Sequence, residues 1–254
     1  MKSQIYNQPK YYEIAFSFAD AKKQVKLFEK FINKYSKIPV KRVLDIACGP
    51  ALQLREFAKH KYIATGIDSN PQMINYLRKI SREEKIKIST IKANMNQFRL
   101  ARKVDFAYIM MGSIMYTKNS QFFLFHLDSV ANSLNTGGLY LIENLTMNWS
   151  DPKLLKSQSW TARDQGIKVK TTYKITLKNS LTQLVVQDII MEVNDNGYTY
   201  NFIDKDELKI IFPEEFKLLV EKNNKFEFLG FFERCNVRKL KNMCADNIIL
   251  LRKK

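Results

Sequence analysis

Residues 41–145 alternate short apolar segments with amphipathic ones, and this alternation constrains the fold more than any other feature of the chain. The apolar segments have strand length, and the amphipathic ones carry helix signals, such as Pro71 in a first helical turn behind Ser69 and Asn70. Strands that are apolar on both faces belong to parallel sheets covered by helices. The sequence therefore predicts an α/β domain with five parallel strands at 41–47, 62–68, 86–93, 104–111 and 138–145, and a helix at 120–134 stopped by Gly137 and Gly138.

The pattern changes after the fifth strand. Residues 168–178 alternate strictly, with lysines facing one side, and an Asp-Asn-Gly turn at 195–197 predicts a β-hairpin. A helix at 213–223 and two apolar segments at 226–235 and 247–253 follow, and we expect the last two to pair as an antiparallel hairpin at the sheet edge. We therefore expect a core formed by 1–150 and 204–254, with an antiparallel β-subdomain at 151–203 inserted into it.

Composition bounds the environment of the protein. The longest apolar stretch, 106–116, is too short to span a bilayer, and the N-terminus lacks a signal-peptide pattern. Three widely spaced cysteines fit neither a disulfide framework nor a metal site. We expect a soluble, cytoplasmic protein without a metal or a membrane partner. The net charge of +17 is compatible with a polyanionic partner and equally with a lysine-rich composition.

Residues 43–51, VLDIACGPA, read as the first strand followed by a ligand-binding turn. A dinucleotide site uses a GxGxxG pattern so that backbone N–H groups can hold the pyrophosphate. Here Ala47 and Ala51 flank Gly49, and Asp45 places a negative charge ahead of the turn. These residues argue against a pyrophosphate ligand.

A cofactor with a cationic amino-acid head and a nucleoside tail suits the same residues, and S-adenosylmethionine is such a cofactor. Asp45 can attract its ammonium and sulfonium groups, and Gly49 lets the backbone approach the methionine portion. Asp68, at the end of the second strand, can accept hydrogen bonds from both ribose hydroxyls.

The segments LDIACGPA (44–51), GIDSNPQMI (66–74) and ANMNQF (93–98) resemble motifs of the class I S-adenosylmethionine-dependent methyltransferases. The first motif of that family is usually Asp-x-Gly-x-Gly-x-Gly, so both alanines depart from it, and we expect Ala51 to begin a helix. The resemblance implies a Rossmann-like, mostly parallel seven-stranded sheet whose last strand is antiparallel. It also implies cofactor contacts at Asp45, Ala47, Gly49, Asp68, Ser69, Met73, Asn94, Met95 and Met110. Asn94 stands where the family usually has aspartate, and its amide oxygen could accept the adenine amino group's hydrogen bond.

The rest of the chain bears on the methyl acceptor. KYYEIAFSF (10–18) resembles the N-terminal helical lid of small-molecule family members, and the inserted sheet resembles that of sugar-amine N-methyltransferases. This implies a small-molecule acceptor, methylated on nitrogen, and a possible homodimer through the inserted sheet. We expect catalytic roles for Tyr12, Tyr116 and Glu143, and acceptor contacts at Tyr11 and Trp149, because they flank the carboxyl-end crevice. His126 is interpreted as a surface or packing residue.

Two alternatives stay open at this point. Lys168, Lys170, Lys174 and Lys178, with a basic tail cluster of Arg234, Arg238, Lys239 and Lys241, could track phosphates and make the protein an RNA methyltransferase. The two alanines and Asn94 are also compatible with a regulator or inactive partner subunit that binds S-adenosylmethionine.

Overall fold

The larger of two β-sheets forms the core of the protein. The computed structural model describes residues 3–145, 156–244 and 247–254. The larger sheet contains β1 (Arg42–Ile46), β2 (Ile63–Asp68), β3 (Ile88–Lys92), β4 (Val104–Ile109), β5 (Leu134–Glu143), β10 (Phe226–Glu233) and β11 (Asn247–Lys253). Its order is β10-β11-β5-β4-β1-β2-β3, and β11 runs antiparallel to both neighbours. The predicted fold class is therefore confirmed, including the C-terminal hairpin.

Helices cover this sheet on both faces. They are α2 (Ala21–Tyr35), α3 (Leu52–Lys59), α4 (Pro71–Glu83), α5 (Ser120–Ser133) and α6 (Pro213–Asn223), whereas α1 (Pro9–Ala15) packs against the smaller sheet. Asp20 caps α2 by accepting a hydrogen bond from the backbone N–H of Lys23, and Asn70 caps α4 in the same way. Every residue of β4 is buried, as expected for a central strand with a helix layer on each side. No helix within the described ranges is long and apolar enough to cross a membrane.

A second sheet of four antiparallel strands follows the core. It contains β6 (Gln158–Asp164), β7 (Ile167–Asn179), β8 (Leu184–Asp195) and β9 (Tyr198–Lys209), in the order β6-β7-β8-β9. Sequence reasoning missed β6, and β9 continues beyond residue 203, the predicted end of the insert. The division of the chain into two domains stays a prediction.

The junction between α5 and β5 corrects one expectation. Gly137 and Gly138 do not stop the helix, because α5 ends at Ser133 and β5 begins at Leu134, so both glycines lie within the strand. Gly138 is required there for another reason. A Cβ atom on this residue would lie 2.5 Å from the carbonyl oxygen of Asp105 in β4, where the pairing of β4 with β5 shifts register.

The N-terminal segment bridges the two sheets. The Asp204 carboxylate in β9 accepts hydrogen bonds from the backbone N–H groups of Gln4 and Ile5, at 2.7 and 3.0 Å. On the opposite side, Glu13 in α1 pairs with Arg55 of α3 at 2.8 Å. The segment is thereby held across the gap between core and insert, and its role as a lid stays a prediction.

Candidate active site

A cavity of about 900 Å³ opens at the carboxyl ends of the parallel strands. It lies beside β1, which pairs with β2 on one side and β4 on the other, at the point where the strand order reverses. Open α/β sheets bind their ligands at this place. Tyr12 of α1 and Gln187 of β8 also line the cavity, so the N-terminal segment and the second sheet form part of its wall.

All nine residues predicted to contact the cofactor line this single cavity. They come from four separate stretches of the chain: Asp45, Ala47 and Gly49; Asp68, Ser69 and Met73; Asn94 and Met95; and Met110. Their contacts with a cofactor stay a prediction, but the fold brings them to one place.

The turn after β1 has a left-handed backbone at three alternate positions. The φ angles are 55° at Ala47, 51° at Gly49 and 58° at Ala51. Ala51 precedes α3 as its N-cap residue, so the expectation that it begins the helix is wrong. Left-handed geometry favours glycine, and alanine there costs roughly 1–2 kcal/mol. The chain therefore keeps the backbone shape of a glycine-rich loop while carrying alanine at two of its three positions.

Gly49 also shapes the wall of the cavity. A Cβ atom placed on it would meet only the Met73 sulfur, at 4.0 Å, so a side chain would fill space that is open to a ligand. The backbone at this position can therefore be approached closely by a ligand group.

Asp68 connects the loop to the next strand. Its Oδ2 accepts a hydrogen bond from the backbone N–H of Gly49 at 2.9 Å, and its Oδ1 accepts one from Asn70 at 2.8 Å. Burial raises the pKa of Asp68 above its ordinary value, although these backbone N–H groups oppose the shift. A carboxylate has about four acceptor sites, so Asp68 keeps acceptor capacity for a ligand hydroxyl.

Asp45 is the most deeply buried carboxylate of the cavity. It is only 3% exposed, and it forms no ion pair with any residue in the described ranges. Burial raises the pKa of Asp45 well above its ordinary value. A buried carboxylate needs a positive partner to stay charged, so this position favours a cationic ligand group.

The third loop is fixed from behind by His126. Its Nδ1 donates to the carbonyl oxygen of Met95 at 2.8 Å, and its Nε2 accepts from the Tyr140 hydroxyl at 2.6 Å. Burial lowers the pKa of His126 to about 4, so the ring is neutral. His126 is therefore a packing residue, and it positions the loop that carries Asn94, whose Oδ1 accepts from the Asn96 backbone at 2.9 Å.

A polar cluster lines the other half of the cavity. The Tyr116 hydroxyl, from the 3₁₀ helix Ser113–Thr117, donates to Asp206 Oδ2 at 3.0 Å and accepts from Gln187 Nε2 at 2.9 Å. The Tyr6 hydroxyl lies 2.9 Å from that of Tyr116. Sequence reasoning found Tyr116 but missed Tyr6, Gln187 and Asp206. The sequence contains one signal for Gln187: it is a polar residue between apolar ones on one face of the segment 183–193.

The remaining predicted site residues are distributed differently. Tyr12 lines the cavity, whereas Glu143 and Tyr11 are not among the described residues that do so. Glu143 is 1% exposed and accepts from Arg234 Nε at 2.7 Å and from the Met111 backbone at 2.8 Å. The Tyr11 hydroxyl donates to Asp195 at 2.9 Å, and burial and this carboxylate raise its pKa to about 12. Trp149 lies outside the described residues, and the roles of these four residues and of Tyr116 stay predictions.

The predicted basic face of the inserted sheet is interleaved with acids. Lys170 pairs with Glu192 at 2.6 Å, Lys178 pairs with Glu207, and Lys174 stands opposite Asp188 across β7 and β8. These neighbours neutralise much of the positive charge that a phosphate backbone would need.

Comparison with known proteins identifies the domain. Residues 43–138 match the family model described as a methyltransferase domain. The chain carries a methyltransferase domain. The match begins at β1 and ends within β5, so the domain includes the turn after β1 and the loops that carry Asp68 and Asn94.

Individual relatives agree with this identification. A sugar N,N-dimethyltransferase of Streptomyces venezuelae, acting on dTDP-3-amino-3,4,6-trideoxy-alpha-D-glucopyranose, is 27% identical over 123 residues. This match covers 48% of each chain, so it spans about half the length of that relative.

Two solved structures resemble the whole chain. An S-adenosylmethionine-dependent methyltransferase from Clostridium acetobutylicum has a TM-score of 0.81 at 16% identity, covering 98% of both chains. CalS10, an amino pentose methyltransferase from Micromonospora echinaspora with S-adenosylmethionine bound, has a TM-score of 0.71 at 15% identity, covering 96% of both. At these identities the structures establish the fold. The resemblance to class I methyltransferases is thus confirmed.

The cavity fits S-adenosylmethionine, the cofactor that the structurally similar CalS10 holds bound. The cavity offers to a cationic group the buried carboxylate of Asp45, whose partner in the described ranges is the neutral hydroxyl of Tyr108, and it offers the Asp68 carboxylate to hydroxyls. Met73, Met95 and Met110 give it apolar walls, and Gly49 leaves room for close approach to the backbone. These are the acceptors and surfaces that an ammonium group, a ribose and an adenine require.

Proposed function

We propose that the protein is an S-adenosylmethionine-dependent methyltransferase that methylates a nitrogen atom of a small molecule. The observation that carries the proposal is that one cavity joins the cofactor loops of the methyltransferase domain to a polar wall supplied by the inserted sheet. The names of the relatives, which act on amino sugars, support a nitrogen acceptor.

The site residues fall into two groups: one would bind the cofactor, and the other would orient the acceptor. Asp45 and Asp68 would hold the cationic and ribose portions of the cofactor, and Asn94 with the Met95 backbone would hold its base. When bound, S-adenosylmethionine supplies an electrophilic methyl group on a sulfonium. Tyr12 and Tyr116 border the space beside the cofactor loops, where they can orient an acceptor for an in-line attack and exclude water.

The cofactor part of the proposal is tested by calorimetric titration with S-adenosylmethionine. We expect saturable binding by the wild type, strongly weakened by Asp68→Ala. A matched control is Asp188→Ala, which removes a carboxylate from the inserted sheet without touching the cavity. A wild type that binds no S-adenosylmethionine would refute the proposed function.

The acceptor part is tested with methyl-labelled S-adenosylmethionine and a panel of amines, alcohols and transfer RNA. We expect label in amines. Salt-dependent retention on RNA tests the alternative acceptor directly, because phosphate binding has a steep salt slope. No turnover with any acceptor, despite cofactor binding, would favour a regulator or partner subunit.

We also propose a cytoplasmic location and a homodimer through the inserted sheet. The wide cysteine spacing supports the reducing compartment.

β9 lies at the edge of its sheet and exposes Tyr198, Tyr200 and Ile203, which suits a second copy. Light scattering after size exclusion would measure the mass of the particle, and a monomer would contradict the dimer.

A further inference from the structure

We propose that the Asp206 carboxylate binds the acceptor's amino group as an ammonium ion and accepts a proton from it, so that the neutral nitrogen can attack the methyl group, and that the acceptor is an unphosphorylated amine. This inference rests on the proposed function and adds the chemical class of the substrate. It assigns a specificity-determining role to a residue that belongs to the inserted sheet rather than to the methyltransferase domain.

Strand register places Asp206 on the wall of the cavity. In the inserted sheet, Ile175 of β7 pairs with Gln187 of β8, which in turn pairs with Asp206 of β9. The three residues form one row across the sheet, and all three line the cavity. Leu208 follows Asp206 on the same side of β9 and lines the cavity as well, so the carboxylate lies on a wall that combines polar and apolar side chains.

Hydrogen bonds fix one oxygen of Asp206 and leave the other open. Tyr116 has a single hydroxyl proton, which it donates to Asp206 Oδ2. Tyr116 oxygen therefore accepts from both Gln187 and Tyr6, and this network holds the carboxylate in place. Asp206 Oδ1 has no hydrogen-bond partner among the described residues, so it presents a free acceptor to the cavity.

The neighbouring acid in β9 has a different task. Asp204 accepts hydrogen bonds from Ser3, Gln4 and Ile5, so both of its oxygens hold the N-terminal segment. Asp204 and Asp206, two residues apart in β9, therefore have different roles: Asp204 anchors the N-terminal segment, and Asp206 faces a ligand.

The charge of the cavity decides which ligands it favours. Its described lining contains the carboxylates of Glu13, Asp45, Asp68 and Asp206, but a single basic side chain, Lys118. Glu13 is neutralised by Arg55, and Asp45 and Asp68 belong to the cofactor half. On the wall supplied by the inserted sheet, Asp206 attracts a cation and repels a phosphate, although Lys118 also lines the cavity and the whole chain carries a net charge of +17.

Two further features favour an ammonium group at Asp206. Burial raises the pKa of Asp206 above its ordinary value and the nearby Asp204 charge adds to the shift, although the hydrogen bond from Tyr116 opposes it. A bound cation would relieve both effects. The rings of Tyr6, Tyr12, Tyr116 and Tyr173 also line the cavity and offer faces to a cation or to the apolar side of an amine.

The test uses protein saturated with S-adenosylhomocysteine, so that acceptor binding is measured without turnover. Calorimetric titrations would first use the free amines glucosamine, ethanolamine and putrescine. Two derivatives of glucosamine are then compared with it: N-acetylglucosamine, which lacks the positive charge, and glucosamine 6-phosphate, which carries an added phosphate. We expect at least one free amine to bind, and acetylation or phosphorylation to weaken binding about tenfold or more.

The residue is tested with Asp206→Asn, which keeps the shape of the side chain and removes its charge. We expect amine affinity to fall about tenfold or more, with S-adenosylhomocysteine affinity unchanged. The matched control is Glu207→Gln on the opposite face of β9, where Glu207 pairs with Lys178; it should bind like the wild type. Thermal unfolding of each variant verifies that it is folded.

The outcomes separate this inference from the function it rests on. Lack of S-adenosylhomocysteine binding would contradict the proposed function. With that binding intact, the inference is overturned if no free amine binds, if the phosphorylated or acetylated partner binds as well as the amine, or if Asp206→Asn binds the amine like the wild type.

Discussion

The Asp68 carboxylate accepts a hydrogen bond from the Gly49 backbone N–H, with 2.9 Å between Oδ2 and the nitrogen. One side chain at the end of β2 therefore fixes the shape of the turn after β1. The same carboxylate faces the cavity, so the residue expected to bind the ribose also holds the loop expected to bind the amino-acid portion of the cofactor.

This double role predicts that Asp68→Asn weakens S-adenosylmethionine binding by about 10- to 100-fold, since hydrogen bonds to a charged group contribute roughly 1.5–3 kcal/mol each. Calorimetry would measure the dissociation constant. Asp188→Asn serves as the control, and an Asp68→Asn protein with wild-type affinity would contradict the role.

The left-handed alanines predict a stability gain. Ala47→Gly should raise the free energy of unfolding by up to about 1 kcal/mol, because glycine relieves the backbone strain at a half-buried position. Ala51→Gly should be nearly neutral, since its methyl group is 2% exposed and its loss offsets the relief. Urea unfolding would measure both. Ala58→Gly, within helix α3, should instead destabilise by about 1 kcal/mol, and a similar loss in Ala47→Gly would show the prediction to be wrong.

The close approach at Gly138 predicts a large stability loss. Gly138→Ala should cost about 3 kcal/mol, because the added Cβ would lie 2.5 Å from a backbone oxygen that cannot move without disturbing β4. Gly197→Ala is the comparison: its φ is +91° but no atom lies within 4 Å of the added Cβ, so it bears only the backbone strain. Chemical unfolding should therefore rank Gly138→Ala as the more damaging change.

His126 predicts a pH dependence of stability. Its pKa is about 4 in the folded protein and about 6.5 when unfolded, so between these values the unfolded chain binds the extra proton. Stability from this residue is thus lost as the pH falls from 6.5 to 4, by about 3 kcal/mol in total. The buried aspartates shift stability in the opposite direction, so the difference between wild type and His126→Gln isolates the histidine. Parallel pH profiles of the two proteins would contradict the assignment.

Glu143 can be tested as a structural residue against its predicted catalytic role. Its carboxylate is held by Arg234 and by the Met111 backbone, so Glu143→Gln should lower the free energy of unfolding by about 1–3 kcal/mol. We expect turnover of the folded variant to stay within about twofold, a negligible energy change. A collapse of kcat at unchanged stability would instead support catalysis by Glu143.

The layout of the core could be predicted from the sequence because its signals are local. The run of apolar residues in 104–111 specifies a central strand wherever it lies, and Asn70 followed by Pro71 specifies a helix start. The sequence also brought the residues predicted to bind the cofactor to one cavity, since parallel strands deliver their carboxyl ends to one edge and Asp45, Asp68 and Asn94 each lie near a strand end.

Tertiary structure decided what local signals do not encode. Gln187 and Asp206 became neighbours only through the register of β8 and β9, and Tyr116 joined them from a distant turn of the core. Glu143 lies at the expected strand end, yet its carboxylate is engaged by Arg234, 91 positions later in the chain. The sequence by itself determined the sheet and the cofactor half of the cavity, because hydrophobic periodicity and strand ends are properties of short segments. The acceptor half was decided by packing between segments far apart in the chain, where burial and pairing select which polar groups face a ligand.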